Sequence, residues 1–362
     1  MKLTVLSIAY PLAAVGPDAC GGAEQVLAAL DSALVDSNHR SLVIAREDSH
    51  VRGELIPIPT LAGPYDREAT AFVHTRCRLA IEKALAGDDI DIVHMHGVDF
   101  HAYLPPPGVP VLATLHLPIS WYPREIFQAL RPATFLNCVS EAQKRDCPPC
   151  RHLRASIQNG VEIPVVSRSE NPEYALVIGR ICPEKGFHLA LEAAIRAEIP
   201  LRIAGQVFPY ERHERYFRDQ LQPRLGAMHV YLGPVGREAK IKLYANARCL
   251  VVPSTVPETS SLVALEALAC GTPVVAFRIG ALPDIVTHGR TGFLVDDLDQ
   301  MAEAMKRASE EIDPADCRRV VRERFSVEHM TAQYLNLLSA IAARPENEAS
   351  EPETAFGAQA RY

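Results

Sequence analysis

With 362 residues, 48% hydrophobic and 22% charged, the chain has an ordinary globular make-up and too much length for one typical core, so two domains are expected. A formal net charge of −7, with 14 basic against 18 acidic residues up to Val165, excludes nucleic-acid binding as the default reading. No run of about 18 apolar residues occurs, which excludes a membrane-spanning helix.

Met1 to Leu12 holds one Lys and a short apolar run with no small-residue cleavage site behind it. A first buried strand over Leu3 to Ala9 is expected there rather than a signal peptide. A loop through Pro11, Pro17 and Cys20 leads to Gly21-Gly22-Ala23-Glu24, and Val26, Leu27, Leu30, Leu34 and Val35 follow at helical spacing. Strand, glycine turn and helix together bring backbone N–H groups up to a phosphate. Two adjacent glycines fit a plain turn equally well.

Leu42 to Ala45 and Ile90 to His94 read as strands, with a helix over Tyr65 to Ala86 stopped at Gly87. Asp88, Asp89 and Asp91 read as turn acids rather than metal ligands. His94 and His96 share one strand face. Without an acid or Cys to complete a tetrahedral set, they and His101 read as polar groups at the strand's end. Val109 to Leu115 is a strand ending at His116, the edge of an open α/β sheet where ligands bind. A satisfied core histidine is the other reading.

Thr134 to Val139 is the next strand, and Ser140-Glu141 starts a helix. Lys144 to Arg154 holds four basic residues and His152, a patch suited to weak peripheral contact with a membrane. It lacks a large apolar face, so a solvated helix is the favoured reading. Ile157 to Val161 reads as a short strand and turn, and Glu162 to Pro172 as a linker. Nine cysteines, an odd number in contexts such as Cys138, Cys249 and Cys270, suit reduced, buried thiols in a cytoplasmic protein. Cys147-Pro-Pro-Cys150 lacks both a redox context and a second pair at ligand spacing, so no metal site is expected.

The alternation then restarts. Tyr174 to Ile178 is a strand running into Gly179-Arg180-Ile181-Cys182-Pro183-Glu184-Lys185-Gly186 and a helix over Phe187 to Arg196. Arg180 and Lys185 in a strand-to-helix loop are either a fork and a point charge for a diphosphate or two exposed basics beside Glu184. Leu201 to Ala204 and Val230 to Leu232 are strands, Glu238 to Ala247 a helix, and Cys249 to Val252 a buried strand. After it, Pro253 to Gly271 carries Glu258 just before an apolar helix beginning near Thr259 or Ser260, and Glu266 within it. A carboxylate flanked by Leu265, Ala267 and Leu268 needs a hydrogen-bonding partner or a ligand hydroxyl. Capping and solvated acids are the plainer reading of the pair. Pro273 to Phe277, Leu282 to Val286 and Phe293 to Val295 continue the pattern, and helices from Leu298, Pro314 and Val327 close it. Strands alternating with helices in both halves predict two doubly wound parallel sheets.

These motifs, in this order, resemble the family 4 retaining glycosyltransferases. The resemblance is carried by Gly21 to Glu24, His116, Val139-Ser140-Glu141, Asn159-Gly160-Val161 and Val177 to Gly186. It continues through Leu232 to Val235, Pro253-Ser254, Glu258 to Glu266, Gly271 to Val275, Gly280 to Val286 and Gly289 to Phe293. It implies a GT-B fold, with two Rossmann-like domains facing each other across a cleft. Residues 1–165 would be the acceptor domain, 166–326 the nucleotide-sugar donor domain, 327–343 a helix returning to the first domain, and 344–362 a disordered tail.

By resemblance, Gly21 and Gly22 are the donor loop, and the Gly22 amide meets the diphosphate. Arg180 and Lys185 clamp that diphosphate, and Glu266 accepts the ribose hydroxyls. Glu258 and the amides of Thr259, Ser260, Ser261 and Leu262 contact the sugar and phosphate. His116 holds the sugar beside the anomeric carbon, and the base rests near Val235 and Pro253. The implied reaction moves a sugar from a UDP-sugar (or a GDP- or ADP-sugar) to a glycan, lipid-linked or small-molecule acceptor. It proceeds by a front-face retaining mechanism, without a cofactor or metal, in the cytoplasm or at the inner membrane face.

Thr259-Ser260-Ser261 stand where the family carries an aromatic and a glycine, and Asp284 where it carries Glu. An epimerase on the same architecture and a non-catalytic nucleotide-sugar binder are the alternatives.

Overall fold

The computed structural model describes residues 2–19, 21–61, 66–128 and 131–343. Cys20, the Tyr65 start of the second helix and the tail from Arg344 lie outside the described residues. The first sheet contains β1 (Thr4–Ile8), β2 (Arg40–Arg46), β3 (Glu54–Ile58), β4 (Ile92–Met95), β5 (Val111–Leu115), β6 (Thr134–Cys138) and β7 (Leu153–Ser156). The second contains β8 (Tyr174–Ile178), β9 (Leu201–Ala204), β10 (His229–Gly233), β11 (Ala247–Val252), β12 (Val274–Phe277) and β13 (Gly292–Val295).

Every pairing is parallel, in the orders 3-2-1-4-5-6-7 and 10-9-8-11-12-13. Parallel strands need crossover helices, which cover both faces. The central strands are accordingly buried, β4 at all four and β5 at all five positions. Order reverses between β1 and β4 in one sheet and between β8 and β11 in the other. At such a switch point neighbouring connections leave in opposite directions and open a crevice beyond the strands' carboxyl ends.

Two strands of the first sheet depart from the sequence expectation. β3 contains Pro57, paired in register with Ala45, and a residue without an N–H is tolerated at an edge whose outer side makes no ladder. β7 occupies the other edge and includes Arg154, which lies over the Phe135 ring at 4.2 Å. The stretch expected as one solvated helix is therefore a helix over Glu141–Asp146 followed by this strand, and Ile157 to Gly160 is not a strand. The Glu211–Tyr216 helix after β9 is an addition to the sequence reading.

The final helix, Val327–Ala342, is capped by Ser326, whose hydroxyl accepts from the His329 amide. It lays Met330, Tyr334, Leu338 and Ile341 against Leu3, Val5, Leu30 and Leu34 beside the first sheet. The chain crosses between the sheets twice, side by side. Val161 donates to the Phe325 carbonyl at 2.9 Å and accepts from Val327 at 3.0 Å. The domains also meet where the Ala142 amide donates to Asp284 at 3.1 Å and Arg145 approaches the same carboxylate at 3.7 Å.

Candidate active site

The loops beyond the two switch points carry most of the predicted residues. β8 ends at Ile178 and delivers Arg180 and Lys185; β11 ends at Val252 and delivers Pro253, Ser254 and Glu258. Gly186 allows the two loops to stack. Its φ is +65°, and a Cβ there would fall 2.1 Å from the Pro253 carbonyl oxygen, a position closed to a side-chain-bearing residue. Lys185 Nζ then reaches both oxygens of Glu258, at 2.6 and 2.8 Å, and the Ser254 hydroxyl donates to the same carboxylate. Glu258 keeps only 9% of its side chain exposed, against 33% for Lys185, so the pair is partly desolvated and its attraction exceeds that of a surface pair. Arg180 is exposed in the same loop, and no hydrogen-bonded partner for it is present among the described residues.

The helix after Glu258 begins at Leu262, two or three residues later than the sequence spacing suggests, and no side chain caps it. The Thr259 hydroxyl is turned away to the His116 carbonyl, at 2.8 Å across the domain boundary. Glu266 is held on the helix face by Lys240 Nζ at 2.5 Å and the Tyr244 hydroxyl at 2.8 Å. Both partners come from the helix Arg237–Asn246 and were not singled out in the sequence. Their four-residue spacing on the helix opposite an internal acid is the signal that points to them. Burial, and then the Glu266 charge, raise the Tyr244 hydroxyl well above its ordinary range, so it stays a donor.

From the first sheet, Gly21 caps the helix Gly22–Asp36, and a Cβ on it would strike the Glu24 carboxylate at 1.8 Å. Glu24 is buried beside that helix start, and desolvation raises its pKa in spite of its backbone hydrogen bond and the Arg180 charge. A Cβ on Gly22 would lie 3.1 Å from Leu262 Cδ1. The amino ends of two helices, one from each domain, therefore face each other, and both present positive dipole ends.

Beyond β4 and β5 lies a buried polar chain. His116 Nε2 and His96 Nδ1 are 3.0 Å apart, and the His96 and His94 rings are 4.0 Å apart. His94 Nε2 meets Thr114 Oγ1 at 2.8 Å; Thr114 donates to Asn137 Oδ1 at 2.7 Å, and Asn137 Nδ2 donates to the Tyr334 hydroxyl at 3.2 Å. Because Thr114 gives its proton to Asn137, His94 Nε2 donates and the tautomer is set. Burial pushes His94 and His116 down to about 3 and His96 well below its ordinary value, so all three are neutral at neutral pH. Tyr334, from the last helix, forms the floor of this array.

A cavity of about 1310 Å³ opens between the domains, and Arg180, Lys185, Glu258 and Thr259 line it together with Arg212, His213 and Gly280. Its opposite wall runs from Leu117 to Tyr122 and from Ala142 through Cys147 to Pro149. Ser260 faces a separate, water-sized crevice with Ser140, Asn159 and Asp284. Gly21, Gly22, His116, Val235, Pro253, Ser261, Leu262 and Glu266 stand behind or beside the cavity rather than on its wall. Val235 packs partly buried against the second domain's core. The close cysteine pair is Cys138 with Cys147, Sγ to Sγ 3.4 Å. A strand and the end of the following helix create a proximity that sequence spacing assigned to Cys147 and Cys150.

Two family descriptions match the chain, glycosyl transferases group 1 over residues 161–324 and Glycosyltransferase Family 4 over residues 20–177. The chain belongs to the family 4 glycosyltransferases. Within this group it is 31% identical over 196 residues to a D-inositol 3-phosphate glycosyltransferase of Corynebacterium urealyticum, covering 50% of this chain and 46% of that protein. It is 46% identical over 147 residues to a protein of the same name from Streptomyces scabiei, covering 37% and 33%. The matched region spans less than half the length of these relatives. Among solved structures, sucrose-phosphate synthase from Thermosynechococcus elongatus superposes with a TM-score of 0.77 at 22% identity, over 94% of this chain and 99% of that one. Anabaena HepE in complex with UDP and glucose gives 0.72 at 19% identity, over 94% and 100%. These likenesses establish the GT-B glycosyltransferase fold of two facing α/β domains.

Proposed function

We propose that this family member is a retaining glycosyltransferase that moves a sugar from a nucleoside-diphosphate sugar to an acceptor hydroxyl. A UDP-sugar is the favoured donor, a GDP- or ADP-sugar the alternative, and the acceptor a glycan, a lipid-linked sugar or a small molecule. The observation that carries this reading is the pairing of Lys185 with Glu258 across the β8 and β11 loops, with Arg180 exposed in the same loop and without a hydrogen-bonded partner among the described residues. Negative charge grows on the departing diphosphate as the glycosidic bond breaks. One guanidinium fork, one ammonium and two helix amino ends aimed at that charge stabilise it without reorganisation. This assignment requires no metal ion.

In the same reading Glu258 orients Lys185 and accepts a sugar hydroxyl, and the Thr259 to Leu262 amides meet the phosphate and sugar. Glu266 accepts the ribose hydroxyls on lone pairs that Lys240 and Tyr244 leave free. His116 abuts the anomeric carbon from the first domain, and its neutral state suits a hydrogen bond to a sugar hydroxyl rather than to a phosphate. In this reading the acceptor attacks from the face the diphosphate leaves, without a covalent intermediate on a carboxylate. A cavity above the ~300–1,000 Å³ of a single small-molecule site has room for donor and acceptor together.

A thermal-shift screen of UDP-, GDP- and ADP-sugars tests the donor half. One class should raise the melting temperature, and nucleotide should be released only when an acceptor is supplied. Binding of none of them removes the donor reading, and binding without release under any acceptor favours the non-catalytic alternative.

A further inference from the structure

The second domain holds a cluster that the donor reading does not use. Cys182 opens the short turn Pro183–Lys185, Glu184 lies inside it, and His213 projects from the helix Glu211–Tyr216. One donor atom from each lies within 4.8 Å of the other two. The loops that carry them are fastened by the Ile181 amide, which donates to the Gln206 carbonyl at 3.0 Å. Nδ1 of His213 is shielded from solvent and has no hydrogen-bond partner among the described residues, an unfavourable state for a polar atom unless something binds it.

We propose that Cys182, Glu184 and His213 bind one soft divalent cation of the zinc type. It would tie the loop bearing Arg180 and Lys185 to the Glu211–Tyr216 helix. Sulfur, imidazole nitrogen and carboxylate oxygen are the donor set zinc takes, with a fourth position open to water from the cleft. The cation replaces the Cys182 thiol proton, forming the metal–sulfur bond and releasing that proton to solvent. Arg212 engages Oε1 of Glu184 at 2.6 Å, which orients the carboxylate and leaves acceptor capacity for the cation. Lys185 is committed to Glu258, so its charge is compensated. The cation has no part in the transfer chemistry, and the site stands independently of the donor reading.

The test uses the full chain, stripped with a chelator and kept reduced by a phosphine. Zinc is titrated against a chromophoric chelator, and cobalt is added in parallel for its thiolate charge-transfer band. The expected result is one equivalent of zinc with a cobalt–thiolate band. Zinc should raise the melting temperature of the native chain. C182S and H213A should lose at least about tenfold in affinity and the melting shift, C182S should also lose the band, and C147S should keep all three. Should C182S fail to fold, H213A, at a half-exposed position, decides alone. Unchanged zinc affinity in the variants, dependence on Cys147, or no stoichiometric binding overturns the site. Any of these leaves glycosyl transfer untouched.

Discussion

The two faces of the cleft solve the problem of a polar site differently. On the second domain the polar groups are charged and paired: Lys185 with Glu258, and Lys240 with Glu266. On the first domain they are neutral and chained, from His116 through His96 to the Thr114, Asn137 and Tyr334 network. Paired charges keep strong donors and acceptors at the cleft while limiting desolvation cost. Buried neutral imidazoles avoid placing further charge on the first domain's side, where the proposed function puts the sugar and its acceptor. In the proposed reading one side holds an anion and the other orients a neutral ring.

The largest way to break this contrast is to remove Arg180, a cleft cation with no hydrogen-bonded partner among the described residues. Arg180→Ala should lower turnover by roughly 10²–10³ and leave the melting temperature unchanged, because the side chain is exposed and holds nothing else. Turnover equal to that of the native chain would sink the clamp.

Acid distinguishes the faces next. The unfolded chain protonates its histidines below about pH 6.5, whereas folded His94 and His116 resist to about 3. Their contribution is intact above pH 6.5 and is lost as pH falls through that window. By pH 5.5 each withdraws on the order of 1 kcal/mol. Hydrogen exchange at pH 7.5 and 5.5 should show β4 and β5 losing protection before β8 and β11; equal losses would contradict the neutral-array account.

Glu266→Ala leaves Lys240 and Tyr244 without their acceptor. It should cost about 1–3 kcal/mol in chemical denaturation and raise KM for the donor more than it lowers kcat. A change confined to kcat would remove Glu266 from ribose binding. The smallest effect is expected of Tyr334→Phe, which deletes the hydroxyl at 3.2 Å from Asn137 and should cost about 1 kcal/mol. An unchanged denaturation midpoint would mean the last helix contributes packing alone.

The same contrast explains what was legible in the sequence. Arg180, Lys185 and Glu258 stand out because charges in a loop between an apolar strand and an apolar helix have few structural uses. The switch-point edges followed from strand–helix alternation. Lys240, Tyr244 and Tyr334 did not stand out, since each meets its partner through tertiary packing: 26, 22 and 197 residues separate Lys240 and Tyr244 from Glu266, and Tyr334 from Asn137. Edge strands β3 and β7 escaped because half-exposed strands tolerate Pro57 and Arg154, which interrupt the apolar run. The cysteine pairing escaped for the same reason as the tyrosines, since backbone path rather than spacing brings Cys138 to Cys147.

The central claim is that the β8 loop and the facing helix starts grip one nucleoside diphosphate. Hydrogen exchange of the full chain, with and without the nucleoside diphosphate that the thermal screen selects, tests it most directly. The account predicts slowed exchange at Gly179–Gly186, at Thr259–Val263 and at Gly22–Glu24, with Glu141–Asp146 unchanged. Binding that slows none of these three segments would contradict it.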